Sequence, residues 1–240
     1  MKTEQTKALN IAAAQRILVL DGAMGTMIQQ HNLSEADYRG EPFSDWHCDV
    51  KGNNDLLSVT QPELIYDIHC AYLAAGADIV ETNTFNANAI SQKDYDCEEL
   101  SFDLNLEGGL IARKAVDDFL VKNPGQNKFV AGVLGPTNRT CSMSPDVNDP
   151  GFRNVNFDLL RDDYLVSLEA LLQSGVDLIL IETIFDTLNA KAALMALSDV
   201  ERKKNIRVPL MLSATITDLS GRTLSGQTLE AFYNSIIHSN

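Results

Sequence analysis

Three acidic residues stand directly after short apolar runs, at the points where buried strands would end. If those runs are parallel strands, their carboxyl ends share one edge of the sheet and the three carboxylates converge there. Facing carboxylates can act as a general acid and base, or can stay ionised and hold an ammonium group. An acid at such a place can also cap a helix or pair with a buried arginine. The three are Asp21 after residues 17–20, Glu81 after residues 77–80 and Glu182 after residues 177–181.

The first of these acids opens a turn rich in glycine, Asp21-Gly22-Ala23-Met24-Gly25-Thr26. Glycine lets the backbone come close to a ligand, and backbone N–H groups left free in such a turn can face an anion. One end of a small zwitterion could then meet Asp21, and its other end the amides from Gly22 to Thr26. The alternative is a plain strand-to-helix turn with a solvated aspartate.

Other polar side chains fall at equivalent strand ends: Asn83, Asn138 and Thr215. The residues alone leave three functions open. The first is binding of a small amino acid, the second is a hydrolase or lyase that uses Glu81 and Glu182 as acid and base, and the third is a non-catalytic interaction module. A strongly raised pKa on one glutamate is what the hydrolase or lyase predicts.

The elements that would position these groups alternate between strand and helix five times. This order predicts an α/β fold with a parallel sheet. The sheet would be either a (β/α)₈ TIM barrel, of which about five units are present with strands in sequential order, or a doubly wound sheet in which the strand order reverses. A faint repeat of Gly76–Thr82 near Gly175–Thr183 favours repeated βα units. Residues 27–54 form a long excursion that we expect to pack over one end of the domain. The predicted strands are residues 17–20, 77–80, 129–134, 177–181 and 209–214, the first of them buried.

The composition limits the partners. The 240 residues carry a net charge of −14, which argues against a nucleic-acid or anionic membrane surface. No apolar run reaches the ~18 residues of a membrane helix, and the first 16 residues lack the apolar core of a signal peptide, so we expect a cytoplasmic protein. Cys48, Cys70, Cys97 and Cys141 are widely spaced and predict free thiols rather than zinc ligands or disulfides.

Long uninterrupted motifs make the chain resemble a known family, the homocysteine-binding module of cobalamin-dependent methionine synthases. The resemblance covers nearly all of the chain from about residue 16, and it is closer to this family than to the betaine-dependent or S-methylmethionine-dependent members of the same superfamily. The motifs are Arg16–Gln29, Lys51–Leu56, Gly76–Asn88, Val130–Thr140, Ser144–Asn154, Asp177–Ala192 and Ser220–Ile236.

The resemblance implies a TIM barrel at the start of a longer modular enzyme. In that enzyme a zinc-bound homocysteine thiolate accepts a methyl group from methylcobalamin, which 5-methyltetrahydrofolate recharges, and methionine forms. The implied partners are homocysteine and the folate-, cobalamin- and activation-type domains of the same enzyme.

The resemblance also implies roles for individual residues. Asp21 and Glu182 would hold the amino acid end of homocysteine, with the amides of Gly22 and Ala23 beside them, and Asn83 and Asn138 are weaker candidates for the same site. We expect Asp21 and Glu182 to stay ionised near neutral pH and to bind the substrate ammonium.

In the family, the three zinc-binding cysteines follow the fifth strand, and this chain ends at Asn240 before any of them. Residues 1–240 therefore read as one homocysteine-binding domain cut before its sixth strand, with open edges that favour aggregation. We expect that this chain alone neither holds zinc tightly nor transfers methyl groups, and that it keeps at most a weak amino acid site.

Overall fold

The computed structural model describes residues 2–239, with side chains described from residue 6 onward. Four parallel strands, β1 to β4, form one sheet in the order β1-β2-β3-β4, which is their order along the chain. The strand order does not reverse anywhere in this sheet. A barrel requires such a sequential order, whereas a doubly wound sheet contains a reversal. The fold is therefore a partial TIM-barrel-like α/β fold, as predicted. The strands are β1 Ile79–Glu81, β2 Phe129–Leu134, β3 Leu178–Ile184 and β4 Leu210–Ala214.

Helices connect and cover these strands. The long helices α5, α7, α8 and α9 pack in sequence against one face of the sheet, which fits repeated βα units. No helix among residues 2–239 has the length and apolar character needed to cross a membrane. The helices are α1 Lys2–Gln15, α2 Met24–Gln29, α3 Glu35–Arg39, α4 Leu57–Thr60, α5 Pro62–Ala75, α6 Ala89–Gln92, α7 Ser101–Lys122, α8 Phe157–Ser174, α9 Thr187–Lys204 and α10 Leu229–Ile236.

The first predicted strand differs from the expectation. Residues 17–20 run beside β1, but only Leu20 forms a parallel bridge, to Ile79. The prediction that this strand is buried is wrong, because Ile17 is 89% exposed and Val19 is 53% exposed. Among residues 2–239, β1 is the strand with which this segment pairs, and alternate side chains of the segment face solvent instead of a second layer.

The alternation of side chains along the strands separates two apolar layers. One face of the sheet, including Val80, Val130 and Ile179, packs against the helices. The opposite face, including Ala131 and Leu180, is covered by Leu9 and Ala12 of α1. Because successive side chains in a strand point to opposite faces, the acids that end the strands fall into a definite layer.

The excursion between residues 27 and 54 packs as expected over one end of the domain. It builds a second apolar cluster in which Ile28, Tyr38, Phe43 and Val50 meet side chains of α5. The excursion therefore has its own buried core and is not a loose loop. Asn54 ties it to the sheet, since its carbonyl oxygen accepts from the Asn83 amide at 2.8 Å.

Asp78 fastens the first segment to β1. The Asp78 carboxylate accepts two hydrogen bonds from the Arg16 guanidinium, at 2.6 and 2.8 Å, and one from the backbone N–H of Val19 at 2.9 Å. The buried Lys128 ammonium lies 3.4 Å from the same carboxylate. The hydrogen bond from Arg16 is the largest cause that lowers the pKa of Asp78. This carboxylate therefore sets the position of residues 16–20, and of Asp21 after them.

We predict that Asp78→Asn lowers the free energy of unfolding by about 3–5 kcal/mol, because it leaves the buried Lys128 without its counter-charge. Asp162→Asn is the matched control, since the pair that Asp162 forms with Arg161 is exposed and is worth at most about 1 kcal/mol. Urea denaturation of both variants measures the difference. Equal losses in the two variants would contradict the role assigned to Asp78.

Candidate functional site

The strand register brings the three predicted acids to one face at the carboxyl ends of the strands. Glu81 lies two residues after Ile79 in β1, and Glu182 lies two residues after Leu180 in β3. Ile79 and Leu180 both belong to the layer under α1. The side-chain period of two therefore directs both glutamates to that same face, beyond its apolar part.

Asp21 joins them through the backbone of β1. Its N–H donates to the Ile79 carbonyl at 2.9 Å, and its Oδ1 accepts from the Glu81 N–H at 2.9 Å. The first segment therefore stays paired with β1 for one residue beyond the Leu20 bridge. The carboxylate is thus held beside Glu81 by main-chain geometry.

The backbone at Glu182 is irregular. The pairing of β3 with β4 shifts between Ile181 and Ile184, and Thr183 adopts φ 53°. A left-handed conformation is costly for a β-branched residue and persists where surrounding structure imposes it. The Thr183 hydroxyl donates to Glu182 Oε2 at 3.2 Å. The bulge and this bond fix how the Glu182 carboxylate leaves the strand.

Burial changes the ionisation of all three acids. It raises the pKa of Asp21 to about 7, against the lowering effect of the N–H groups of Glu81 and Asp21, and the charge of Glu182 raises it further. Burial and the neighbouring charges of Glu182 and Asp21 raise the pKa of Glu81 to about 8. Burial also raises the pKa of Glu182. These shifts oppose the expectation that Asp21 stays fully ionised near neutral pH, because burial disfavours a charged carboxylate and the nearby charge of Glu182 adds to that effect.

The remaining candidates lie in different surroundings. The Asn83 amide nitrogen is buried and donates to the Asn54 carbonyl and, at 3.2 Å, to the Ser58 hydroxyl, so it braces the excursion. Asn138 is exposed, and its amide nitrogen donates to Asp94 at 2.5 Å. Thr215 begins the segment after β4, where its N–H donates to the Ile184 carbonyl at 2.9 Å.

The turn after Asp21 is open at its first two residues. A Cβ built on Gly22 would meet nothing within 4 Å. Ala23 is exposed and takes a left-handed conformation with φ 49° at the start of α2. Gly22 and Ala23 directly follow Asp21 in the sequence.

The four cysteines lie in surroundings that differ from those of the three acids. The Cys48 and Cys97 thiols each lie 3.2 Å from the Tyr95 carbonyl, and Cys141 lies against Val155. Cys70 packs against the helix layer. Within residues 2–239, none of the contacts of these cysteines joins them to Asp21, Glu81 or Glu182.

A different cluster of metal-ligating types does form. His47, Cys48 and Asp96 each offer one ligand atom, and these atoms lie within 4.8 Å of one another. The sequence predicts Cys48 only as a free thiol and does not single out this cluster. Spacing along the chain could not reveal the cluster, because His47 and Asp96 are 49 residues apart.

Comparison with known proteins identifies the family. The model of the homocysteine S-methyltransferase family matches residues 18–240. The chain belongs to this family.

Solved structures show the same fold. The oxidised form of the homocysteine methyltransferase MmuM from Escherichia coli is 26% identical, with a TM-score of 0.70 over 92% of this chain and 69% of that one. Its metallated form is 24% identical, with a TM-score of 0.73 over 96% and 74% of the two chains. The acids at the strand ends therefore sit on the scaffold of a homocysteine methyltransferase.

The raised pKa values predict how stability depends on pH. A folded-state pKa above the unfolded one contributes stability that is complete below the unfolded value, about 4, and is lost as pH rises through the folded value. For Glu81 the loss extends to a pKa of about 8. We therefore expect Glu81→Gln to lose less stability than the wild type between about pH 5 and pH 9.

Melting temperatures across this range, measured by circular dichroism, check the prediction. Glu99→Gln, which removes an exposed glutamate, is the matched control and should follow the wild type. Parallel pH dependences of Glu81→Gln and the wild type would show that Glu81 ionises normally in the folded protein.

Proposed function

We propose that this chain is the homocysteine-binding module of a cobalamin-dependent methionine synthase. The observation that carries the proposal is the meeting of Asp21, Glu81 and Glu182 on one face at the carboxyl ends of parallel strands. The family membership supplies the substrate class, and the long sequence motifs favour the cobalamin-dependent group within it. Zinc, cobalamin and 5-methyltetrahydrofolate enter the proposal through that resemblance.

The binding step follows from the charges. Homocysteine carries an ammonium group and a carboxylate on one carbon atom. In the proposal, Asp21 and Glu182 accept hydrogen bonds from the ammonium, and the amides of Gly22 and Ala23 face the carboxylate. A bound cation favours the ionised form of each acid, so binding lowers their raised pKa values and expels protons to solvent.

Glu81 has a supporting part in this scheme. Its side chain lies beside Asp21, and its own backbone N–H stabilises the Asp21 carboxylate. The pKa of Glu81, about 8, lies above that of Asp21, about 7, so Glu81 keeps its proton when Asp21 ionises. A neutral Glu81 leaves one positive charge on the ligand facing two negative carboxylates.

The methyl transfer itself needs groups beyond the three acids. Zinc deprotonates a coordinated thiol and so makes it a nucleophile at neutral pH. The resemblance puts the cysteines that hold zinc after the fifth strand of the barrel, and the methyl donor on other domains. Residues 1–240 would then contribute the recognition of the amino acid end of homocysteine.

The raised pKa of Glu81 favours one alternative, a hydrolase or lyase in which Glu81 is the general acid and Glu182 the base. Such an enzyme needs no site for an α-amino acid. The two functions therefore differ in whether the protein binds homocysteine at all.

We predict that Asp21→Asn and Glu182→Gln each weaken homocysteine binding roughly 10- to 150-fold, because each removes a charge-assisted hydrogen bond worth about 1.5–3 kcal/mol. Isothermal titration calorimetry with the complete homocysteine-binding module measures the affinity. Asp103→Asn, which changes an exposed carboxylate on α7, is the matched control and should bind as the wild type does.

The analogue 4-mercaptobutyrate, which lacks the ammonium group, identifies the contact. It should bind more weakly than homocysteine to the wild type, and Asp21→Asn should not weaken it further. Unchanged homocysteine affinity in both acid variants would remove Asp21 and Glu182 from the site, and absence of homocysteine binding by the wild type would favour the hydrolase or lyase.

A further inference from the structure

The cluster of His47, Cys48 and Asp96 lies outside the proposed homocysteine site and has no part in it. His47 Nε2 lies 2.8 Å from Asp96 Oδ2, and all three ligand atoms fall within 4.8 Å of one another. The two outer side chains are 64% and 58% exposed, so an ion arriving from solvent reaches them directly. A polar contact this exposed contributes little to stability, so folding alone does not account for the meeting of these side chains.

The backbone on the His47 side is held firmly in place. The Arg39 guanidinium donates to the carbonyl oxygens of Trp46 at 2.5 Å and Cys48 at 2.9 Å, on either side of His47. Glu35 fixes Arg39 in turn, with its Oε1 2.7 Å from Arg39 Nε. The two residues that carry the nitrogen and sulfur donors are thus positioned before any ion binds.

The Asp96 side is joined to the same framework. The Trp46 indole N–H donates to the Tyr95 carbonyl at 3.0 Å, and the Cys48 thiol contacts that same carbonyl at 3.2 Å. Asp96 follows in a left-handed conformation with φ 51°, which aspartate tolerates better than most residues. The turn therefore presents the Asp96 carboxylate to His47 and Cys48 across a gap that is already bridged by hydrogen bonds.

The donor set defines the chemistry of the ion. One imidazole nitrogen, one thiolate and one carboxylate oxygen are ligands that Zn²⁺ accepts in tetrahedral sites, at about 2.0–2.3 Å from the metal. Hard cations such as Mg²⁺ and Ca²⁺ prefer oxygen ligands only. Three protein ligands leave a fourth position for water.

We propose that His47, Cys48 and Asp96 form a binding site for Zn²⁺ or a similar borderline divalent cation. The ion displaces the proton of the Cys48 thiol to solvent and inserts between His47 and Asp96. It ties the excursion to the turn that follows Tyr95, and it is separate from any zinc that activates homocysteine.

Cobalt(II) titration of the protein, stripped of metal with a chelator and free of homocysteine, tests the site. We expect one Co²⁺ per chain, with the intense near-ultraviolet absorption of a thiolate-to-cobalt bond and the visible bands of a tetrahedral ion. Zn²⁺ should bleach both signals, and Mg²⁺ should not.

Variants locate the ion. Cys48→Ser should abolish the thiolate band, and His47→Ala and Asp96→Asn should each weaken Co²⁺ binding by more than about 10-fold. Cys70→Ser, which changes a thiol on α5 outside the cluster, is the matched control and should bind as the wild type does. The melting temperature without metal shows whether each variant is folded, and added Zn²⁺ should raise that of the wild type but not that of Cys48→Ser.

A thiolate band that survives Cys48→Ser, or one that is lost equally in Cys70→Ser, would overturn the proposal, and so would the absence of any band in the wild type. Because the titration contains no homocysteine and changes none of the three acids, its failure leaves the proposed function untouched.

Discussion

The burial of three neighbouring carboxylates governs the chemistry of this molecule. Asp21, Glu81 and Glu182 share one face at the ends of parallel strands, and the pKa of each is raised, with burial as the largest cause. A fold that gathers like charges without a cation among them is stabilised by protonation. A ligand that brings its own positive charge stabilises the ionised carboxylates, so the same arrangement that destabilises the empty protein at high pH favours binding of an ammonium group.

The surrounding structure is built to hold that arrangement. Asp78 fixes the segment before Asp21 through Arg16 and the Val19 amide. The bulge at Thr183 fixes the direction of Glu182, at the cost of a left-handed β-branched residue. Leu9 and Ala12 of α1 cover the apolar part of the same face. The acids are thus positioned by an ion pair, a strained turn and a packed helix, each on a different element.

Sequence reasoning predicted the convergence of Asp21, Glu81 and Glu182 because strand ends and the parallel rule suffice for it. It did not predict the exposure of Ile17 and Val19, since an apolar run does not reveal which strand lies at an edge.

The raised pKa values of the three acids could not be predicted from the sequence either, because they depend on burial and on the distance between charges. The cluster of His47, Cys48 and Asp96 depends on how the excursion folds back on the turn at Tyr95, and no local pattern records that contact. The residues best predicted are those that one strand positions, and the residues missed are those that two distant loops position together.

The number of protons released when the amino acid binds tests the central account most directly. Titration calorimetry with methionine at about pH 7, in buffers of different ionisation enthalpy, counts them, and methionine has the ammonium and carboxylate of homocysteine without its titratable thiol. The account predicts release of protons to the buffer, and a smaller release by Asp21→Asn, which removes the acid with a pKa of about 7. Binding with no net proton release would contradict it, because the carboxylates would then be ionised before the ligand arrives.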